Sequence, residues 1–256
     1  MLLPQEICDL IIDHLHEDKP SLHCCSLVSR GWVHRSRTHI FYFLVLGGRL
    51  WQRWIDTFSP SNLRIHSFVR GLKLCPPTGL DLAHLVEYLP AFRNLQYLYI
   101  NGRNTVYRYQ QFPCIRWFGH LRNTLKVLEL NYVAINPRII AGFPRLERLI
   151  LRLVNVPPAG DPDENDDIPE SDLRDAFRGS LTFQLFPRHS EVELFTAFAD
   201  YPLNYDKIEI CLLYAGGGMF QAGVINRLIS RCFDTLEVFD IRLRDEQCRK
   251  SGPTQP

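Results

Sequence analysis

The sequence predicts an α/β protein in which a short helical head precedes a curved parallel sheet carrying helices on its convex side. Three observations predict it. Apolar residues within the first 40 positions recur at helical spacing. From about residue 67 onward, an apolar-x-x-Leu-x-apolar pattern returns several times. Between its copies the apolar positions go back to helical spacing.

The head comes first. Leu3, Ile7, Leu10, Ile11 and Leu15 give one helix an apolar face. Pro4 suits a first helical turn, where a missing N–H costs nothing, and Glu6 sits near the positive end of the helix dipole. Pro20 and Ser21 punctuate the chain, and a second apolar set follows at Leu22, Cys25, Leu27 and Val28. Ser29-Arg30-Gly31-Trp32 leads into a basic stretch that ends at Ile40-Phe41. Three helices this short bury too little surface to stand alone, so they pack on the rest of the chain or on another protein. Composition and periodicity leave both readings open.

The order Leu3-Pro4-x-Glu6-Ile7, Leu10-Ile11, Leu15 and Cys25-x-Leu27-Val28-Ser29-Arg30-x-Trp32 resembles an F-box over residues 3 to about 41. It is similar in particular to the large F-box-like families of mushroom-forming fungi. The resemblance implies binding to the Skp adaptor subunit of an SCF (Skp–cullin–F-box) ubiquitin ligase. It implies contacts through Leu3, Pro4, Ile7, Leu10, Ile11, Leu15, Leu22, Leu27, Val28 and Trp32. His14, His16 and His23 depart from the pattern by giving the first two helices a histidine-rich surface.

Residues 46–66 are expected to connect head and sheet, with Leu50 to Phe58 as a short amphipathic helix whose Trp51 and Trp54 pack at the junction. The repeat pattern then reads Val69-x-x-Leu72-x-Leu74, Leu95-x-x-Leu98-x-Ile100, Leu125-x-x-Leu128-x-Leu130, Leu146-x-x-Leu149-x-Leu151 and Leu236-x-x-Phe239-x-Ile241. Leu181-x-Phe183-x-Leu185 and Ile208-x-Ile210-x-Leu212 are partial copies. The spacing of roughly 20 to 30 residues is that of leucine-rich repeats. Alternation within a copy makes a strand with one buried face, while Asp81 to Leu89 and Gly223 to Ile229 read as intervening helices. Single units cannot close a core, so they stack into an irregular leucine-rich-repeat solenoid. Asn101 and Asn131 occupy about the place of a ladder asparagine in two copies. An ordinary α/β domain with leucine-rich strands is the alternative.

The expected division is a head over 1–45, the connecting helix over 46–66, repeats over 67–243 and a tail over 244–256. An acidic loop over 157–175 interrupts the repeats. From Asp161 to Asp172 this loop is rich in carboxylates and has no aromatic residue, so it reads as a solvated insertion. It lacks the glycine and bidentate glutamate of a calcium-binding hand.

Alternation also predicts a partner surface. If Leu98 and Ile100 point inward, Tyr97 and Tyr99 face outward on the concave side. The same register adds Lys73, Glu129, Arg148, Ile150 and Arg152 as candidate target-binding residues. Tyrosines, arginines and an exposed isoleucine suit a binding hot spot. A plain solvated surface, or one covered by the C-terminal segment, is the competing reading.

Catalytic and cofactor signatures are not among the motifs. The sequence holds no G-x-S-x-G, no G-x-x-x-x-G-K and no H-E-x-x-H. Gly216-Gly217-Gly218 reads as a turn. The eight cysteines form no C-x-x-C pair, and the spacing of His14, His16, His23, Cys24 and Cys25 does not suit a metal site. Arg30, His34, Arg35, Arg37 and His39 read as the solvated face of the third helix, and a net charge of +1 gives no global field for nucleic acid. No apolar run is long enough to span a bilayer, and the start does not read as a signal peptide, so cytoplasm or nucleus is the expected compartment. The expected function is a non-enzymatic substrate-recognition adaptor of an SCF-type ligase, without cofactor or metal. A repeat-based interaction module with no ligase link is the alternative.

Overall fold

The computed structural model describes residues 4–48, 64–76, 89–102, 120–135, 137, 140, 143–154, 178–185, 194, 196–198, 204–214, 222–232 and 234–245. Three helices open the chain: α1 (Gln5–His14), α2 (Lys19–Val28) and α3 (Arg30–Ile40). Asp18 caps α2: its carboxylate accepts from the Ser21 backbone N–H at 3.2 Å and from the Ser21 hydroxyl at 2.6 Å. Ile12, Leu22, Cys25 and Ile40 form a small core between the helices, with Leu15, Trp32 and Phe41 packed on it. Asp13 clamps α1 to α3. Both of its oxygens accept from the Arg35 guanidinium, and Oδ1 lies 2.7 Å from His39 Nε2. The basic run of α3 is therefore divided: Arg30, His34 and Arg37 are exposed, while Arg35 and His39 turn to Asp13.

Eight strands follow: β1 (Phe43–Gly47), β2 (Gly71–Cys75), β3 (Tyr97–Asn101), β4 (Val127–Asn131), β5 (Arg148–Arg152), β6 (Arg178–Leu185), β7 (Asn204–Tyr214) and β8 (Val238–Asp245). They form one sheet in sequence order, and every neighbouring pair is parallel. The α/β class and the three-helix head are thus as expected, and the helix read at Gly223–Ile229 is α4 (Ala222–Arg231). Two 3-10 turns, Arg64–Ser67 and Leu89–Ala91, lie between strands.

The sheet begins earlier than the repeats expected from residue 67. β1 lies directly after α3, where Phe41-x-x-Leu44-x-Leu46 is a further copy of the pattern whose leading residue already belongs to the end of the helical head. Its Phe43 ring lies where a Cβ on Gly71 would sit, so glycine at 71 lets the ring lie flat on the sheet. The expected helices at 50–58 and around 81–88, the acidic loop, Gly216 to Gly218 and the tail beyond residue 245 lie outside the described residues.

Inward positions align from strand to strand. Leu72, Leu98, Leu128, Leu149, Leu181 and Ile208 make one buried row, and Leu74, Ile100, Leu130, Leu151, Phe183 and Ile210 make the next. Phe92, Phe143, Phe198, Ile225 and Leu228 pack against these rows from the segments between strands. The strand ends repeat as well. Gly48, Tyr132 and Leu153 each follow a strand directly and have φ of 57°, 55° and 52°. One left-handed turn thus closes β1, β4 and β5.

Candidate interaction surfaces

Two surfaces carry the residues singled out in the sequence. The first is on the head. Ile7, Leu10, Ile11, Leu27 and Val28 remain exposed, Leu10 at 56% and Leu27 at 86%. α1 thus has two apolar faces, with Cys8 and Ile12 turned inward and Ile7, Leu10 and Ile11 outward. α2 divides in the same way, Leu22 and Cys25 inward, Leu27 and Val28 outward. Gln5 Nε2 donates to the Gly31 carbonyl at 3.5 Å, which sets the start of α1 beside the α2–α3 junction. The first turn of α1, with Ile7, therefore starts near the end of α2, where Leu27 and Val28 stand.

Of the other expected adaptor contacts, Pro4 is exposed, and Leu15 and Trp32 are half-buried against the head core. Leu22 is fully buried in that core and offers no surface, because it stands three residues before Cys25 on the inward face of α2. Leu3 lies outside the described residues.

The second surface is the face of the sheet opposite the core. The register places Lys73, Tyr99, Glu129 and Ile150 in one row, and Tyr97, Val127 and Arg148 in another. Asn101, Asn131 and Arg152 form a third. All seven expected target-binding residues share this face. They differ in accessibility. Glu129 is buried, since the Tyr97 hydroxyl donates to its Oε2 at 2.7 Å and Arg152 Nε lies 2.7 Å from its Oε1. Tyr99 is buried beneath the Lys73 ammonium, 4.5 Å above its ring, and its hydroxyl accepts from Asn131 Nδ2 at 3.2 Å. Burial, reinforced by Glu129, pushes the Tyr97 phenol well above its ordinary pKa, so this hydroxyl stays a donor at neutral pH. Glu129 and Tyr99 thus hold their neighbours in place, while Arg148 is exposed and Lys73, Tyr97, Ile150 and Arg152 are partly exposed.

Asn101 and Asn131 are not ladder residues. Strand parity places them with the outward rows, and Val133, two positions beyond Asn131, turns into the core. No family model matches the chain, and no curated protein or solved structure matches it.

Continuing the register to the remaining strands reveals outward residues that the sequence reading left out. Phe43 stacks on Tyr97 with ring centroids 5.5 Å apart, and Val45 stands next to Lys73 in the register. At the other end, Glu209 lies 2.7 Å from Lys207 Nζ, and Asp240 lies 2.6 Å from the Arg242 guanidinium. Each acid of the middle row is therefore held by a base from a flanking row. The signal was the alternation itself, extended to strands whose inward pattern is incomplete.

Among the described residues no group of three or more His, Cys, Asp or Glu is placed to hold a metal ion. No described helix is long and apolar enough to cross a membrane.

Proposed function

We propose that the chain is a non-enzymatic substrate-recognition adaptor. The head is an F-box-like motif that docks on the Skp subunit of an SCF-type ubiquitin ligase. The sheet is a leucine-rich-repeat solenoid whose outward face holds a target protein, in the cytoplasm or nucleus. The observation that carries this reading is the unpartnered apolar face of the head. A head that served only as a cap would turn its apolar residues onto the sheet. Instead, Ile7, Leu10, Ile11, Leu27 and Val28 stay outside both the head core and the sheet core. They are five of the ten positions that the F-box resemblance assigns to the adaptor. Clustered exposed apolar residues of this kind mark interaction sites. The sequential strand order, the leucine rows and the repeated left-handed turn support the solenoid reading.

Co-purification with the Skp subunit tests the proposal. Leu27→Asp places a charge on the docking face without touching the head core, since Leu27 is exposed in the free chain. A lost hot-spot contact costs about 2 kcal/mol, roughly thirtyfold in affinity. Wild type is expected to capture Skp, and Leu27→Asp is expected to lose it at an unchanged melting temperature. If neither protein captures Skp, the ligase reading is overturned, and the interaction module without a ligase link takes its place.

A further inference from the structure

The far end of the sheet differs from the rest of it. Phe239 pairs in register with Ile208 and Ile241 with Ile210, so both stand in rows that are buried from β2 to β7. Yet Phe239 is 38% exposed and Ile241 is 43% exposed. Val238, on the other face, is exposed as well. Among the described residues no strand pairs with the outer edge of β8. Free edges offer a row of unpaired N–H and C=O groups, and proteins usually blunt them with charged side chains of one sign, lysine above all, with proline, a bulge or a very short strand; the charges of β8 are instead of both signs, Asp240 beside Arg242. β8 is eight residues long and contains no proline, lysine or glycine.

We propose that β8 is a self-association edge, on which two copies of the chain join antiparallel about a twofold axis through Ile241. A twofold axis relating two copies of one edge requires antiparallel strands. With Ile241 facing its own copy, Asp240 of each chain lies opposite Arg242 of the other. The axis stands perpendicular to the sheet, so Phe239 and Ile241 of both copies stay on the core face and continue its apolar rows. Other registers fail. A slip of one residue sets the core face of one copy against the outward face of the other. Centring the axis on Asp240 or on Arg242 puts that charge opposite itself, centring it on Leu243 puts Arg242 opposite Arg244, and centring it on Phe239 pairs only residues 238 to 240 of β8. In the single chain Arg242 holds its own Asp240 on an exposed surface. Association exchanges the two pairs within the separate chains for two pairs across the axis, so the charges select the register and the apolar rows supply the attraction. A one-strand interface is at the small end of stable ones, so the dimer is expected in the micromolar range.

Charge reversal in the full-length chain tests this, with mass measured by light scattering up to submillimolar concentration. Wild type is expected to approach twice 29.8 kDa as concentration rises. Asp240→Arg opposes two arginines to two arginines, and Arg242→Asp opposes two aspartates to two aspartates. Each variant alone is expected to remain a single chain. Mixed in equal amounts they restore both opposite-charge pairs, and the heterodimer is expected to form. Ile241→Lys, which sets two ammonium groups on the axis, is expected to behave as the single charge variants do. Unchanged circular dichroism and melting show that the variants fold. A wild type that stays single at the highest concentration overturns the proposal. So does a dimer indifferent to both reversals, or a mixture that does not associate.

Discussion

At the scale of single residues, Asp13 carries more of the head than its place in a ten-residue helix suggests. The Arg35 hydrogen bonds, with His39 adding to them, hold its carboxyl down at about 2 against an ordinary 3.8. Because the folded value lies below the unfolded one, the contribution is complete above about pH 4 and fades as the pH falls through 2. The carboxylate is 32% exposed, so screening limits the contribution to about 1 kcal/mol. Asp13→Asn is expected to lower stability by this amount at neutral pH, and the difference from wild type is expected to shrink from pH 4 downward and to close below pH 2. Melting curves across the acid range measure it. None of this was legible beforehand. Arg35 and His39 are four apart on α3 and read as part of a solvated basic face. Only the packing of α3 on α1 turns them toward Asp13.

At the scale of elements, the strands beyond the head were legible from full or partial copies of the apolar-x-x-Leu-x-apolar pattern, because buried residues at period two leave little choice of face. β1 was missed because its two inward leucines follow α3 without a break. Leu22 was misplaced for the opposite reason: α2 is apolar on two sides, and periodicity does not say which side faces inward. Asn101 and Asn131 had the right residue type but the wrong parity. The turn closing β1, β4 and β5 left only a faint mark, since two of its three residues are not glycine. At Gly48 it can be tested cleanly. A Cβ there meets nothing within 4 Å, so alanine adds only backbone strain at φ 57°. Gly48→Ala is expected to cost about 1 to 2 kcal/mol in denaturant unfolding, and Gly48→Asn clearly less, because asparagine tolerates the left-handed region.

At the scale of the whole molecule, two cores support two separate surfaces. Ile12, Leu22, Cys25 and Ile40 belong to the head, and the leucine rows belong to the sheet. Damage to one surface should therefore leave the other intact. Tyr97→Ala with Arg148→Ala removes an aromatic and a cation from the outward face without opening either core, since Arg148 is exposed and Tyr97 half-buried. Affinity purification with mass spectrometry is expected to show the target lost from the double variant and Skp retained, at a melting temperature lowered by the loss of the Tyr97 hydrogen bond to buried Glu129 and no more than in Tyr97→Phe. An identical set of partners would place target recognition on another surface. The order of the sheet has a consequence of a mechanical kind. Every strand is bonded only to the strands before and after it in the chain. Among the described strands no segment from a distant part of the sequence is threaded between two others, so the described sheet has no central clasp. A pull on the C-terminal end loads the bonds between β7 and β8 first and passes to β6 only after they give way. Under tension such a sheet opens in steps, one strand at a time, and closes again in the reverse order.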